Sequence, residues 1–162
     1  MNLIGQIINA MIAYYAGDVR RINHFLKVYG FAKAIGEMEG LDESTQEIIE
    51  IAALTHDIGI KNSEKKYNSS AGNYQQIEGP PEAKKLLEGL GIESGVIDRV
   101  CWLIAHHHTY TDIQGIDYQI LVEADFLVNF YEDDMSIDSV HSAGGKMFKT
   151  LSGKAILNAI YS

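Results

Sequence analysis

An adjacent histidine and aspartate, His56 and Asp57, are the first residues of this sequence whose types and spacing suggest chemistry. They follow an apolar run at residues 52–55 and precede Gly59. A buried imidazole and a buried carboxylate are costly unless a partner compensates them. A divalent metal ion is such a partner, because both side chains are metal ligands. The pair alone is weak support for a metal site, since the same dipeptide also arises by chance.

A second carboxylate, Asp125, strengthens the metal-site interpretation. It lies between Ala124 and Phe126 in the apolar segment 117–130, where an unpaired carboxylate would be costly. A helix N-terminal cap or a buried salt bridge is the alternative interpretation. The segment itself contains no basic residue, so a salt bridge has few nearby candidates.

Three consecutive histidines, His106, His107 and His108, follow another helical pattern of apolar residues. Successive residues of a helix point about 100° apart, so the three rings cannot all face one ion. We expect one or two of them to reach a metal site and another to face solvent or end the helix. His24 lies in an amphipathic segment, where a lone histidine is more often a core or boundary residue than a ligand.

Apolar residues at helical spacing predict an all-α fold with about seven helices in one domain. We expect the metal-site core at about residues 20–130 and further helices at 136–162, dividing near Gly144-Gly145. Asp18 and either Asp42 or Ser44 are predicted to cap helices. Residues 59–79 are predicted to form a long loop, with Pro80 and Pro81 in the first turn of the next helix.

The composition excludes several classes of protein. With 162 residues, 46% hydrophobic and 22% charged, the chain resembles neither a disordered nor a membrane protein. The formal net charge of −9 argues against nucleic acid as a partner. The single cysteine, Cys101, lies in an apolar run and forms no internal disulfide. The N-terminus lacks the basic region of a signal peptide, so we expect a cytoplasmic location.

The order His24, His56-Asp57, the histidines at 106–108 and Asp125 resembles the HD-domain superfamily of metal-dependent phosphohydrolases. Residues 53–59 are similar to the family's central signature, and residues 123–125 are similar to its late one. The resemblance covers about residues 20 to 130. It implies a helical bundle in which His24, His56, Asp57 and Asp125 bind a divalent metal ion. In some members, further histidines complete a second metal site.

Two positions depart from the family pattern. The family often has a lysine directly after its His-Asp-x-Gly run, whereas here Ile60 holds that place and Lys61 follows. Either Lys61 contacts a phosphate instead, or that contact is missing. Glu78 stands where the family often carries a histidine, and it is either a metal ligand or a charge at a helix N-terminus. Asp57 and Lys61 are the candidate catalytic residues.

The resemblance implies a phosphohydrolase that attacks a nucleotide or another small phosphorylated molecule with a metal-activated water molecule. Imidazole and carboxylate ligands suit one or two ions of Mn, Fe, Co, Ni or Zn, with Mg as a further option. In a site with two ions, Asp57 would bridge them. The alternatives are an iron-dependent oxygenase of the same superfamily and a non-catalytic module that binds a nucleotide. We expect no membrane partner, and both a monomer and a homodimer remain open.

Overall fold

Residues 2–162, which the computed structural model describes, form nine α-helices and no strand. This architecture confirms the predicted all-α fold. The helices are α1 (Leu3–Tyr14), α2 (Val19–Met38), α3 (Glu43–Thr55), α4 (Ile60–Tyr67), α5 (Gly72–Gly89), α6 (Ser94–His106), α7 (Ile116–Glu132), α8 (Ile137–Met147) and α9 (Leu151–Ile160). None of these described helices is both long enough and apolar enough to cross a membrane.

The middle of the bundle consists of α2, α3 and α7, which pack against one another, while α6 packs on α3 and α5. Helix α7 is buried over most of its length, as its continuous apolar pattern predicts. Helix α3 is buried from Ile49 to Thr55, so its carboxyl end points into the core. Because His56 and Asp57 follow directly, the chain delivers these two polar side chains to the centre of the bundle.

Short polar side chains begin several helices, as the sequence predicts. Asp18 accepts a hydrogen bond from the backbone N–H of Arg21 at the start of α2. Asp42, rather than Ser44, accepts one from Thr45 N at 2.8 Å at the start of α3. These caps satisfy backbone donors that have no partner within the helix.

The prediction of a loop over residues 59–79 is wrong, because α4 and the first half of α5 occupy most of it. Asn68, in the left-handed conformation with φ 53°, ends α4, and only residues 68–71 connect the two helices. Ile60 and Ser63 are buried one turn apart on α4. Tertiary packing of this face therefore outweighs the many Asn, Ser and Gly residues on which the loop prediction depended.

The prolines Pro80 and Pro81 lie inside α5 rather than in its first turn. A proline has no N–H to bond the carbonyl four residues earlier, so the helix forgoes two of its bonds here. Ile77 and Pro81 are exposed, so this stretch of α5 runs along the protein surface.

The C-terminal segment forms two helices, α8 and α9, but they divide at residues 148–150 and not at Gly144-Gly145. Gly144 lies within α8 against the side chain of Leu157, where a Cβ atom would collide. The buried carboxylate of Glu123 accepts hydrogen bonds from the backbone N–H groups of Lys149 and Thr150. Glu123 therefore ties α7 to the start of α9.

Candidate metal centre

Five polar side chains, contributed by four helices and the turns that follow them, meet in the middle of the bundle. They are His24 on α2, His56 and Asp57 after α3, His107 after α6, and Asp125 on α7. The Nε2 atoms of His24 and His56 lie 3.3 Å apart. Asp57 Oδ2 lies 3.1 Å from His24 Nε2 and 3.3 Å from His56 Nε2. Asp125 Oδ1 lies 3.2 and 3.4 Å from the same two nitrogens.

Each of the three histidines in this centre is held through its other ring nitrogen. His56 Nδ1 lies 2.8 Å from the carbonyl of Ala53, and His107 Nδ1 lies 2.7 Å from the carbonyl of Ile104. His24 Nδ1 lies 2.6 Å from a carboxylate oxygen of Glu132. Because these oxygens can only accept, each Nδ1 carries the donated hydrogen. In the neutral ring Nε2 then keeps its lone pair, the arrangement typical of metal-ligating histidines.

The carboxylate of Asp57 lies between two groups of histidines. Its Oδ2 faces His24 and His56, while its Oδ1 lies 3.4 Å from His107 Nε2. His24, His56 and Asp57 offer ligand atoms within 4.8 Å of one another, and so do Asp57, His107 and His108. The two groups share Asp57, so the arrangement has donors for one ion or for two.

His108 is oriented from the opposite nitrogen, by a glutamine of α5. Its Nε2 lies 3.0 Å from Gln75 Oε1, while Gln75 Nε2 donates to the carbonyl of Ser70 at 2.5 Å. The second contact fixes which end of the amide faces the ring. In the neutral ring His108 Nδ1 therefore keeps its lone pair. Burial, followed by the neighbouring His107, lowers the pKa of His108 to about 4, so this ring is neutral at pH 7.

Two buried atoms of the centre make no well-aligned hydrogen bond within the described chain, although each has a polar neighbour. They are His107 Nε2, 3.4 Å from Asp57 Oδ1, and Asp125 Oδ1, 3.2 Å from His24 Nε2. Unpaired buried polar atoms are rare in native proteins, because leaving one unsatisfied costs about 1–3 kcal/mol. Both atoms are good ligands for a divalent cation. A metal ion therefore fits these residues, since it would satisfy the two unpaired atoms and neutralise the adjacent carboxylates.

Without a metal ion, protons compensate the carboxylates of this centre. Burial lowers the pKa of His24, but Asp125 and Asp57 outweigh it and raise the pKa to about 10. Burial opposes charge on His56 as well, and the same two carboxylates hold its pKa well above the usual value. Burial likewise opposes ionisation of Asp57 and Asp125, yet chiefly the His56 imidazole keeps the pKa of each below its usual range. The carboxylates of Asp57 and Asp125 therefore need adjacent positive charge, from protonated histidines or from a metal ion.

Three of the candidate residues do not join the centre. His106 Nδ1 lies 2.7 Å from the carbonyl of Trp102, and its ring stacks on the Trp102 indole with the ring centroids 4.0 Å apart. Glu78 pairs with Lys66 Nζ at 2.5 Å and is in neither group of metal donors. It lies within α5 and not at its N-terminus, because α5 begins at Gly72. Lys61 Nζ donates to the carbonyl of Tyr14 at 2.9 Å.

A cavity of about 370 Å³ opens beside His24 and Asp57. Sequence reasoning missed the two arginines in its wall, Arg20 and Arg21, although they lie one turn before His24 on α2. Lys61 instead lines a neighbouring cavity of about 560 Å³, which shares Arg21 with the first. The spacing of four and three residues from His24 is the signal that places both arginines near the centre.

Glu132 and Gln75, which orient two of the histidines, were also missed from sequence. Glu132 lies seven residues after Asp125, which is two helical turns along the same face of α7. That spacing is a signal that the sequence contains. Gln75 had no such signal, because its position depends on α5, which begins within the segment expected to be a loop.

Comparisons with known proteins agree with this architecture. A family model described as HD domain matches residues 21–140, a range that includes every residue of the centre. Among solved structures, the crystal structure of a predicted HD superfamily hydrolase from an uncultured Thermotogales bacterium is similar, with a TM-score of 0.69. The two chains are 22% identical, and the match covers 99% of this chain and 91% of that one. No curated protein matches this chain.

Proposed function

The chain belongs to the HD domain family, and we propose that it is a metal-dependent phosphohydrolase acting on a nucleotide or another small phosphorylated molecule. One observation carries the proposal: His24, His56 and His107 direct Nε2 at Asp57 or Asp125 while each Nδ1 is held by an acceptor. An acceptor at Nδ1 does not by itself identify a ligand, because His106 is held in the same way outside the centre. What a metal site requires is that the Nε2 atoms of several histidines converge on shared carboxylates, as these three do. The unpaired His107 Nε2 and Asp125 Oδ1 support the same conclusion.

The set of ligand atoms suggests which metals would bind and which residues would hold each ion. His24, His56, Asp57 and Asp125 would hold one ion, and Asp57 with His107 and His108 would hold a second. Mixed imidazole and carboxylate donors suit Mn, Fe, Co, Ni or Zn better than Mg. When bound, such an ion lowers the pKa of a water ligand from about 15.7 to about 7 and neutralises phosphoryl charge.

The cavity next to the centre supports a phosphorylated substrate. Arg20 is 76% exposed and pairs only loosely with Asp133, at 3.9 Å. Arg21 contacts Asp18 and Glu64, and it lines the same cavity. Guanidinium groups bind phosphate oxygens through paired hydrogen bonds. Because Asp18 and Glu132 also line this cavity and Arg21 is already paired, Arg20 is the more available cation for a phosphate ester.

The polar side chains that line this cavity would have different roles in substrate binding. Arg20 would orient the phosphoryl group, assisted by Arg21 through the donors that Asp18 and Glu64 leave free, and Asn129 and Ser70 add neutral hydrogen-bonding groups. The volume of about 370 Å³ is within the range of small-molecule sites. Asp57 also lines this cavity, and because its two oxygens face the two groups of histidines, its role would be to hold the metal ions.

The test is turnover of a panel of nucleotides and other phosphate esters by purified protein loaded in turn with Mn²⁺, Co²⁺, Ni²⁺, Zn²⁺ and Fe²⁺. We expect metal-dependent release of inorganic phosphate or pyrophosphate that is abolished in Asp57→Ala. Asp134→Asn, which removes a similar charge from an exposed position beyond α7, is the matched control. Absence of turnover with every ester and every metal would contradict the proposal. Tight binding with intact nucleotide recovered would support the non-catalytic alternative instead.

A further inference from the structure

The side chain of Glu132 makes two charged contacts with α2. Its Oε1 lies 2.6 Å from His24 Nδ1, and its Oε2 lies 2.8 Å from Lys27 Nζ. The side chain is only 11% exposed. Because His24 and Lys27 are three residues apart on α2, both lie on the face that packs against α7. Each oxygen of the carboxylate therefore has its own partner on the same helix.

The position of Glu132 is unfavourable for a carboxylate by local rules. It is the last residue of α7, where the helix dipole favours cations and disfavours anions. Its burial adds a desolvation cost that only well-placed partners offset. The contacts with His24 and Lys27 supply that compensation. The helix dipole therefore does not explain a negative charge at this end of α7, whereas the contacts with α2 do.

His24 differs from the other histidines of the centre in what holds it. His56 and His107 donate to backbone carbonyls of their own helix ends, which no substitution removes. His24 lies inside α2, in its second turn, where the backbone carbonyls are engaged in the helix. A side chain from another helix is therefore needed to orient its ring, and Glu132 is the one that contacts its Nδ1.

We propose that Glu132 is a positioning residue: it holds the hydrogen of His24 on Nδ1 and directs Nε2 at Asp57 and Asp125. This inference rests on the proposed function, because its consequence is tighter metal binding. A carboxylate acceptor also makes the imidazole a stronger donor than a carbonyl does. Lys27 restrains the same carboxylate, so that the ring of His24 is held by a contact with little freedom to move.

Metal affinity, measured by titrating metal-free protein with Mn²⁺ or Co²⁺, is the first test. We expect Glu132→Ala to weaken binding by about 10- to 100-fold, as loss of such outer partners does. Glu132→Gln keeps an acceptor but loses the charge, so its affinity should lie between those of Glu132→Ala and the wild type. Asp134→Asn is the control for charge and should bind as the wild type does. Its residue adopts φ 49°, a conformation that asparagine tolerates.

Proton NMR of the metal-free protein provides a second measurement that does not require metal binding. A ring N–H donated to a carboxylate at 2.6 Å should give a downfield resonance, assigned by its loss in His24→Gln. We expect it in the wild type and in Asp134→Asn, and we expect it to disappear in Glu132→Ala. If Glu132→Ala retains the resonance or binds metal as tightly as the wild type, the positioning role is wrong. A wild type that shows the resonance but binds no metal would contradict the proposed function while supporting the orientation of His24.

Discussion

The hydroxyl of Tyr15 donates a hydrogen bond of 2.7 Å to the backbone carbonyl of Asp57. Tyr15 follows α1 and is only 4% exposed, so this contact ties the N-terminal helix to the turn that carries two candidate ligands. Burial, and secondly the Asp57 carboxylate, raise the pKa of Tyr15, so its hydroxyl remains a donor even above its ordinary titration range. The region before the matched family range thus helps to position the centre.

Replacing Tyr15 with phenylalanine should therefore loosen the turn at Asp57. Leaving the carbonyl without its donor should lower the free energy of unfolding by about 1–3 kcal/mol. We expect weaker metal binding in the same variant, because the backbone beside Asp57 is no longer held. Chemical denaturation and metal titration measure the two effects. Tyr14→Phe is the control, since it removes a neighbouring hydroxyl and retains the contact between Tyr15 and Asp57. If both variants change stability and metal affinity equally, the proposed role of Tyr15 is wrong.

Gly59 permits a close approach of two helices beside the centre. A Cβ atom at this position would lie 2.6 Å from both the carbonyl oxygen of Gln75 and the backbone nitrogen of Gly79. Gly59→Ala should therefore displace α5 and cost about 1–3 kcal/mol of stability, measured by chemical denaturation. It should also disturb the contact between Gln75 and His108. The control is Gly89→Ala, where a Cβ atom meets nothing within 4 Å, and it should leave stability unchanged or raise it. A Gly59→Ala variant as stable as the wild type would be inconsistent with this packing.

Metal binding should release protons near pH 7. The pKa of His24 is raised to about 10, so this ring is protonated in the metal-free protein at neutral pH. A ring that carries hydrogen on both nitrogens cannot ligate a metal, so binding must expel a proton and the affinity should rise as the pH increases from 7 towards 10. Calorimetry of Mn²⁺ binding in buffers with different ionisation enthalpies measures the release. An affinity that stays constant over this range would show that His24 is not a ligand.

The two arginines and Lys61 should differ in their effect on a phosphorylated substrate. Arg20 and Arg21 line the cavity beside His24, whereas Lys61 lines the neighbouring cavity and donates to the Tyr14 carbonyl. We expect Arg20→Gln to raise KM for a phosphate ester by about 10-fold, the loss of one charge-assisted contact, and Lys61→Gln to change it less. Steady-state kinetics on a substrate found in the panel decide between them. The reverse order would restore Lys61 as the phosphate contact that the family resemblance suggested.

Much of the fold is predictable because helical spacing and cap residues are local signals. Asp18 and Asp42 begin the helices predicted for them, and the apolar pattern of α7 predicts its burial. The loop predicted for residues 59–79 failed because α4 is stabilised mainly by packing its Ile60 and Ser63 face. Composition alone does not reveal that contribution.

The same distinction applies to the centre. His56-Asp57 after an apolar helix and Asp125 inside another indicated buried polar groups that need compensation, and the structure brings both carboxylates to His24. The orientation of the three histidines was not predictable, because it depends on acceptors such as Glu132, whose distance from His24 in sequence is 108 residues. The same is true of His106 and His107. Helix α6 ends between them, and this position of the helix end directs His106 to Trp102 and His107 to the centre.

Metal content of the purified protein, after incubation in turn with Mn²⁺, Co²⁺, Ni²⁺, Zn²⁺ and Fe²⁺ and removal of unbound ions, measures the proposed metal site most directly. We predict that the wild type and Asp134→Asn retain one or two ions per chain. Asp57→Ala should retain none, because Asp57 belongs to both groups of donors. An Asp57→Ala protein that keeps as much metal as the wild type, or a wild type that retains no divalent metal of any kind tested, would contradict a metal centre at His24, His56, Asp57 and Asp125.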